Sequence, residues 1–439
     1  MNDILCEGYH YPLMTQTTNS ITFPSSTSTI VNVRDIDKVL PLIAAVWFFV
    51  SIDSIFVWNR FTSIIHILTA TGVIWGSMLS KSVTYLRKYR LVSILFFCYL
   101  MWILLCLSTN LGFFVKRICV FTPLLFILFW SNDLLLQSYK FIRKAVIFFA
   151  IGASIVSILS LIGLISKVPH FVVPPQEALH ERMGCVYYVY GLFVTVQDPA
   201  QMLIYRACGM MKEPGHFAVV LGFIYLIDRY QGRRINFWLV LCGLLTFSSN
   251  FVLIAFFTEL HNIFVMSNTR KIVKWFILAL LAIYIVFLFL PSDIQDQIYY
   301  LFYGRNLEKV IDILSSSSSI NEALDERASN LPLAIYNKMT FSEMIVGIGG
   351  FDTSYCLSDY RGMIMATGIV GLLLSNIIYL ILIRGARKAV AISLLLSFIL
   401  ILMHRSWMLY FPYVYFLSML AIATTSTQQQ YRYEFKGKG

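Results

Sequence analysis

Charge is scarce in this sequence. Lys, Arg, Asp and Glu make up 13% of its 439 residues, about half of the roughly 25% usual in a soluble domain. With 58% hydrophobic residues, the chain cannot furnish the polar exterior of a soluble globule. The same numbers exclude a disordered chain. Cysteine is sparse as well. Eight residues, most of them inside apolar runs, exclude a small disulfide-stapled secreted domain. There is no Walker A sequence, which removes ATP hydrolysis by that route. HExxH, CxxC and paired DxD are also missing, and His10, His66, His170, His180, His216, His261 and His404 are scattered. No metal or other cofactor is expected. Residues 1–37 are polar and Ser/Thr-rich, without the basic and apolar regions of a signal peptide. Short repeated segments with period-2 alternation are lacking, which argues against an outer-membrane barrel.

Long apolar runs take the place of all this. Ala145–Ile165, Leu91–Ser108 and Met363–Ile383 each supply about the 20 residues that cross a bilayer. Further candidates are 39–58, 61–79, 111–130, 217–227, 235–266, 272–290, 389–403 and 408–423. Short basic clusters flank these runs: Lys81 with Arg87, Lys88 and Arg90; Lys140 with Arg143 and Lys144; Arg229 with Arg233 and Arg234; Arg270 with Lys271 and Lys274; Arg384 with Arg387 and Lys388. By the positive-inside rule all five face the cytoplasm. They account for the net charge of +11, so nucleic-acid binding is not expected. Residues 235–266 have an inside cluster on both flanks, so an even number of crossings is read there. Two short spans around Thr246, Ser248, Ser249 and Asn250 give 12 spans; one long span would give 11.

The expected fold is therefore an all-α polytopic membrane protein of about 12 transmembrane helices with two long non-cytoplasmic segments. Its parts are a cytoplasmic tail (1–38), helices 1–5 (39–165), a first outside segment (166–216), helices 6–9 (217–290), a large outside segment (291–361), helices 10–12 (362–424) and a second cytoplasmic tail (425–439). Membrane lipids are its surroundings. Long non-spanning segments are more often functional than ordinary connections. The larger one holds ten of the chain's 23 acids and a Gly-rich turn, GIGGFD, which lacks the βαβ setting of a nucleotide fingerprint. The smaller one holds RACGMMKEPGHFA, where Pro214 opens a helix and Glu213 reads either as its cap or as a site carboxylate.

A metal-free membrane enzyme can act on a lipid-linked pyrophosphate, which carries its own leaving group. Arginines must hold that group and stabilise its developing charge, and a base must orient the acceptor hydroxyl. Arg206, Arg305, Arg327 and Arg361 all fall on the outside and fit the first task. His404 and Arg405 separate two apolar runs and read either as a polar turn or as part of the site floor. Lys116 and Arg117 interrupt the run 111–130, where a charge is either functional or snorkels.

The stretches RACGMMKEPGHFAVVL, GLLTFSSNFVLIAFF and FSEMIVGIGG, in that order, resemble the O-antigen polymerases, within the wider O-antigen polymerase and ligase superfamily. The resemblance implies a glycosyltransferase of the bacterial inner membrane. Such an enzyme joins undecaprenyl-pyrophosphate-linked oligosaccharide repeats at the periplasmic face, with no cofactor, in lipopolysaccharide synthesis. A chain-length-regulating co-polymerase is an implied partner. By motif position Arg206, Glu213 and Arg327 are implied catalytic residues, and Asp359 stands about where the ligases carry a His. Arg305, Arg361, Arg405 and His404 complete the expected pyrophosphate site. Glu213, Asp359 and His404 are all candidates for the base. The rival readings are an O-antigen ligase-like glycosyltransferase and a lipid-linked oligosaccharide flippase or transporter.

Overall fold

The computed structural model describes residues 33–52, 54, 62–83, 90–108, 111–173, 185–197, 205–265, 292–299, 330–348 and 357–436. Its first five helices are α1 (Val33–Ser51), α2 (Thr62–Leu79), α3 (Arg90–Leu107), α4 (Leu111–Ile127) and α5 (Asn132–Leu161). Gly72 and Gly76 of α2 let Ile43 and Leu40 of α1 approach closely. Ser131 caps α5, its hydroxyl accepting from the Leu134 N–H.

An antiparallel meander follows: β1 (Phe171–Val173), β2 (Val186–Tyr190), β3 (Phe193–Gln197) and β4 (Tyr205–Gly209), paired in that order. Aromatic and β-branched residues dominate β2 and β3, the composition a half-buried strand favours. The pair Tyr190–Phe193 leaves Gly191–Leu192 as a two-residue turn. Gly191 has φ 65°, the conformation that a II′-type turn puts at its first central position. A bulge between Val194 and Thr195 shifts the register onto β4. The ring of Phe193 occupies the space that a side chain at Gly152 would fill, which seats the sheet on α5.

The chain then enters α6 (Pro214–Tyr230), α7 (Phe237–Leu245) and α8 (Ser249–Val265). Three shorter helices are α9 (Ser292–Tyr299), α10 (Asn330–Asn337) and α11 (Phe341–Val346). The last long ones are α12 (Tyr360–Ile383), α13 (Lys388–Arg405, extended by a 3₁₀ turn to Tyr410) and α14 (Tyr413–Lys436). α12 is broken at Gly368 (φ 69°), where the backbone comes against Gly347 (φ 85°), just past α11. The break is satisfied internally. The Ile348 N–H donates to the Met365 carbonyl at 2.9 Å, and the Trp102 indole donates to the Thr367 carbonyl at 2.7 Å. Such breaks persist at membrane depth only where protein covers them.

Among the described residues, four helices are long and apolar enough to cross a membrane: Arg90–Leu107, Asn132–Leu161, Tyr360–Ile383 and Lys388–Tyr410. Leu105 on α3 is 74% exposed, an outward apolar residue suited to lipid rather than water. The chain is thus membrane-associated. The expected all-α bundle of about 12 spans is corrected on two counts. Part of the first outside segment forms the four-stranded sheet. Several of the helices are also shorter than a full span: α6 has 17 residues and α7 has nine, and 17 residues reach only about 25 Å of the roughly 30 Å needed. α4 is likewise short and carries Lys116 and Arg117. The run 272–290 lies outside the described residues.

The helices have a shared polarity. At one end, Asp228 of α6 is 1% exposed and accepts from Arg143 of α5 at 2.7 Å and from the Tyr139 hydroxyl at 2.7 Å. There Arg229 of α6 pairs with Glu259 of α8 at 2.7 Å, and Tyr230 meets Ser393 of α13 at 2.7 Å. This end also carries Arg233, Arg384, Arg387 and Lys388. The opposite ends of α6, α8 and α13 meet one another as well, at the charged cluster described next.

Candidate functional site: a buried charged cluster

β4 delivers Arg206, which is 8% exposed. Its guanidinium donates to the carbonyls of Thr246 at 3.1 Å and Phe247 at 3.3 Å, in the turn between α7 and α8. Phe247 has φ 47°, unusual for a residue with a side chain and costing on the order of 1–3 kcal/mol. The arginine engages the two carbonyls of that strained turn. α8 then returns along α6 until Glu259 reaches Arg229. At the end of β4, Gly209 (φ 64°) makes room for the Phe217 ring. The chain continues through Lys212 to Glu213, the N-cap of α6, with Pro214 in the first turn.

Glu213 is 8% exposed and forms an ion pair with Arg405, at the end of α13. Gly215 permits this approach, since a Cβ there would collide with the Arg405 guanidinium. His216, also buried, stands among rings: Trp407 at 4.4 Å, Tyr413 at 5.8 Å and Phe411 at 6.1 Å. His404 meets the Ser249 hydroxyl through Nε2 at 3.1 Å, joining α13 to the start of α8. The Tyr413 hydroxyl lies within electrostatic reach of both Arg405 and Glu213.

The start of α12 completes the cluster. Asp359 caps it, accepting from the Arg361 N–H at 2.9 Å, and its carboxylate also receives the Arg361 guanidinium at 3.1 and 2.9 Å. Both side chains are buried, and the guanidinium lies over Tyr336 of α10, 5.7 Å from the ring centre. Ser406, next to Arg405, ties this pair to the rest. Its N–H donates to the Ser358 carbonyl at 2.8 Å and its hydroxyl to the Asp359 carbonyl. The Tyr410 hydroxyl donates to the Gly362 carbonyl at 3.0 Å.

Arg206, Glu213, Asp359, Arg361, His404 and Arg405 are thereby gathered at one end of the helices, although 199 positions separate Arg206 from Arg405. Arg305 and Arg327 lie outside the described residues. His216, Ser249, Trp407 and Tyr413 were not among the expected site residues. The run SWMLYFPY after His404–Arg405, dense in aromatics beside two bases, is the signal that could have named two of them. The three arginines and two carboxylates leave one positive charge in excess, before Lys212 is counted. The N-termini of α6, α8 and α12 converge there, each adding partial positive charge. The arrangement suits a multiply charged anion. Among the described residues, no three His, Cys, Asp or Glu side chains are grouped to hold a metal ion.

The chain matches no protein-family model, no curated protein and no solved structure. The resemblance to the O-antigen polymerases is therefore corrected. Its motifs are short, and the fold they implied is replaced by four long apolar helices with a four-stranded sheet. The repeat-joining glycosyltransferase activity, its ligase variant and the role in lipopolysaccharide synthesis fall with that fold.

Proposed function

We propose that this chain is an integral membrane protein that binds the phosphate or pyrophosphate headgroup of a lipid-linked molecule. The observation that carries this reading is that Arg206, Arg361 and Arg405 lie at the same end of the helices as the N-termini of α6, α8 and α12, with Arg206 and Arg361 buried. Guanidinium groups match phosphate oxygens in geometry and stay charged when desolvated. The lipid moiety follows from position, because the cluster lies at the ends of helices whose outer faces are apolar. Glu213 and Asp359 are each engaged by an arginine, so they orient the cations.

Passage of a charged lipid through the protein fits less well. Between His216 and Asp228, α6 presents Phe217 to Ile227, a buried run without a charge. The positive-inside rule assigns the basic end to the cytoplasm and the cluster to the opposite, non-cytoplasmic face. The start of α1 lies at the basic end too, since Asp37 accepts from Ser82, whose carbonyl accepts from Ser131 at the start of α5. α14 leaves the cluster and runs toward the same end. A bacterial inner membrane is the setting we assign, with the chain's described ends on the cytoplasmic side.

The test is equilibrium binding of a short-chain polyprenyl pyrophosphate to the detergent-purified protein. Wild type should bind the pyrophosphate and not the parent alcohol, and Arg206→Gln should weaken binding about tenfold or more, the loss of one charge-assisted contact. Equal binding of the alcohol, or no effect of Arg206→Gln in a folded protein, would refute it.

A further inference from the structure

A cavity lies at the basic end of the helices, away from the charged cluster. It has a volume of about 450 Å³, within the range of small-molecule sites. Its walls are apolar and come from four helices and the segment after α4: Leu91 of α3, Leu128, Ile381 of α12 and Met419 of α14 represent them. Asn132 at the start of α5 and Arg384 just past α12 also line it, and both are exposed. Arg384 is exposed, as is Arg90 at the start of α3, and Arg387 and Lys388 follow closely in sequence.

We propose that this cavity binds one acyl chain of an anionic phospholipid, with Arg384 holding the phosphate headgroup. Three observations select that occupant. The cavity sits where the helices carry their basic residues, the depth at which a headgroup meets its acyl chain. A lining that is mostly apolar side chains, with the exposed Arg384 as its one cation, complements an amphipathic anion; a hydrophilic solute would lose more hydration there than it regains. Leu91, 56% exposed, and Leu380 and Leu373 on α12 continue the apolar surface outside the mouth, so a second chain of the same lipid lies against protein as well. The site is independent of the function proposed above, because it uses none of the residues of the charged cluster.

The test reconstitutes the full chain in nanodiscs of equal parts phosphatidylglycerol and phosphatidylcholine, then counts retained lipids by native mass spectrometry. The expected result is one retained phosphatidylglycerol. Arg384→Gln, an exposed change that leaves the fold intact, should reduce that retention about fivefold, the share of one surface arginine. Ala423→Phe, which fills the cavity from α14, should abolish retention of either lipid. Equal retention of both lipids by wild type with no response to Arg384→Gln would overturn the headgroup assignment. Undiminished retention in a folded Ala423→Phe protein would overturn the cavity as the site.

Discussion

Replacing Glu213 by Gln keeps its shape and removes its charge, leaving the Arg405 guanidinium without the carboxylate that faces it. The side chains of the pair are 11% and 18% exposed. They do not belong with surface ion pairs worth about 0–1 kcal/mol. Breaking a buried pair by removing one partner costs about 3–5 kcal/mol, most of it the penalty of the stranded charge. Because Arg405 retains some solvent access, the lower figure of about 3 kcal/mol is expected for Glu213→Gln. Arg405→Met should cost a similar amount, as it strands Glu213. The double variant Glu213→Gln/Arg405→Met strands neither charge and should recover at least half of the summed loss. The assay is reversible unfolding in mixed micelles, followed by tryptophan fluorescence, since Trp407 lies in the cluster. Single variants within about 0.5 kcal/mol of wild type, or a double variant equal to the sum of the singles, would refute the buried-pair reasoning.

Other parts of the structure make their own predictions. Asp228→Asn removes the carboxylate that receives Arg143 and Tyr139 and should destabilise the protein by about 3 kcal/mol or more, read in the same micelle titration. Gly368→Ala places a Cβ against the backbone of Ile345 at a left-handed position and should destabilise more than Gly163→Ala, whose site is open, by a clear margin in thermal melts. The Glu343 carboxyl is held below its ordinary range by the Thr340 backbone N–H and hydroxyl. A depressed carboxyl stabilises above its unfolded pKa, and that contribution is lost as pH falls through the folded value. Protection factors in 341–346, taken against the intrinsic exchange rate at each pH, should therefore fall on acidification in wild type, and Thr340→Ala should flatten that pH response.

The membrane-associated character was legible from composition, because low charge and long apolar runs leave a chain no soluble alternative. Span number was not, because run length says little about where a helix ends. Residues 217–227 read as a span, and α6 runs on both sides of them from Pro214 to Tyr230, still only 17 residues. The sheet was missed for a different reason. VYYVYGLFVTVQ shows little apolar–polar alternation, since much of both strand faces is covered. Its β-branched and aromatic composition around Gly191 was the available sign. Of the expected site residues, Arg206, Glu213, Asp359, Arg361, His404 and Arg405 lie at one end of the helices, while Arg305 and Arg327 fall outside the described residues. The pairing of Glu213 with Arg405 was beyond sequence reading, because it depends on Gly215 and on two helix ends meeting. Short motifs in the expected order suggested a family, but order along the chain does not specify a fold.

The central claim is that a lipid-linked phosphate is held by the charged cluster at the non-cytoplasmic end. A polyprenyl pyrophosphate with a photoreactive diazirine beside the headgroup tests it most directly, with adducts mapped by mass spectrometry on wild-type protein in nanodiscs. The account predicts adducts in 205–216, 246–250 and 404–413, suppressed by unlabelled pyrophosphate lipid. Adducts confined to the basic end, around Arg143, Arg229 and Arg384, would contradict it.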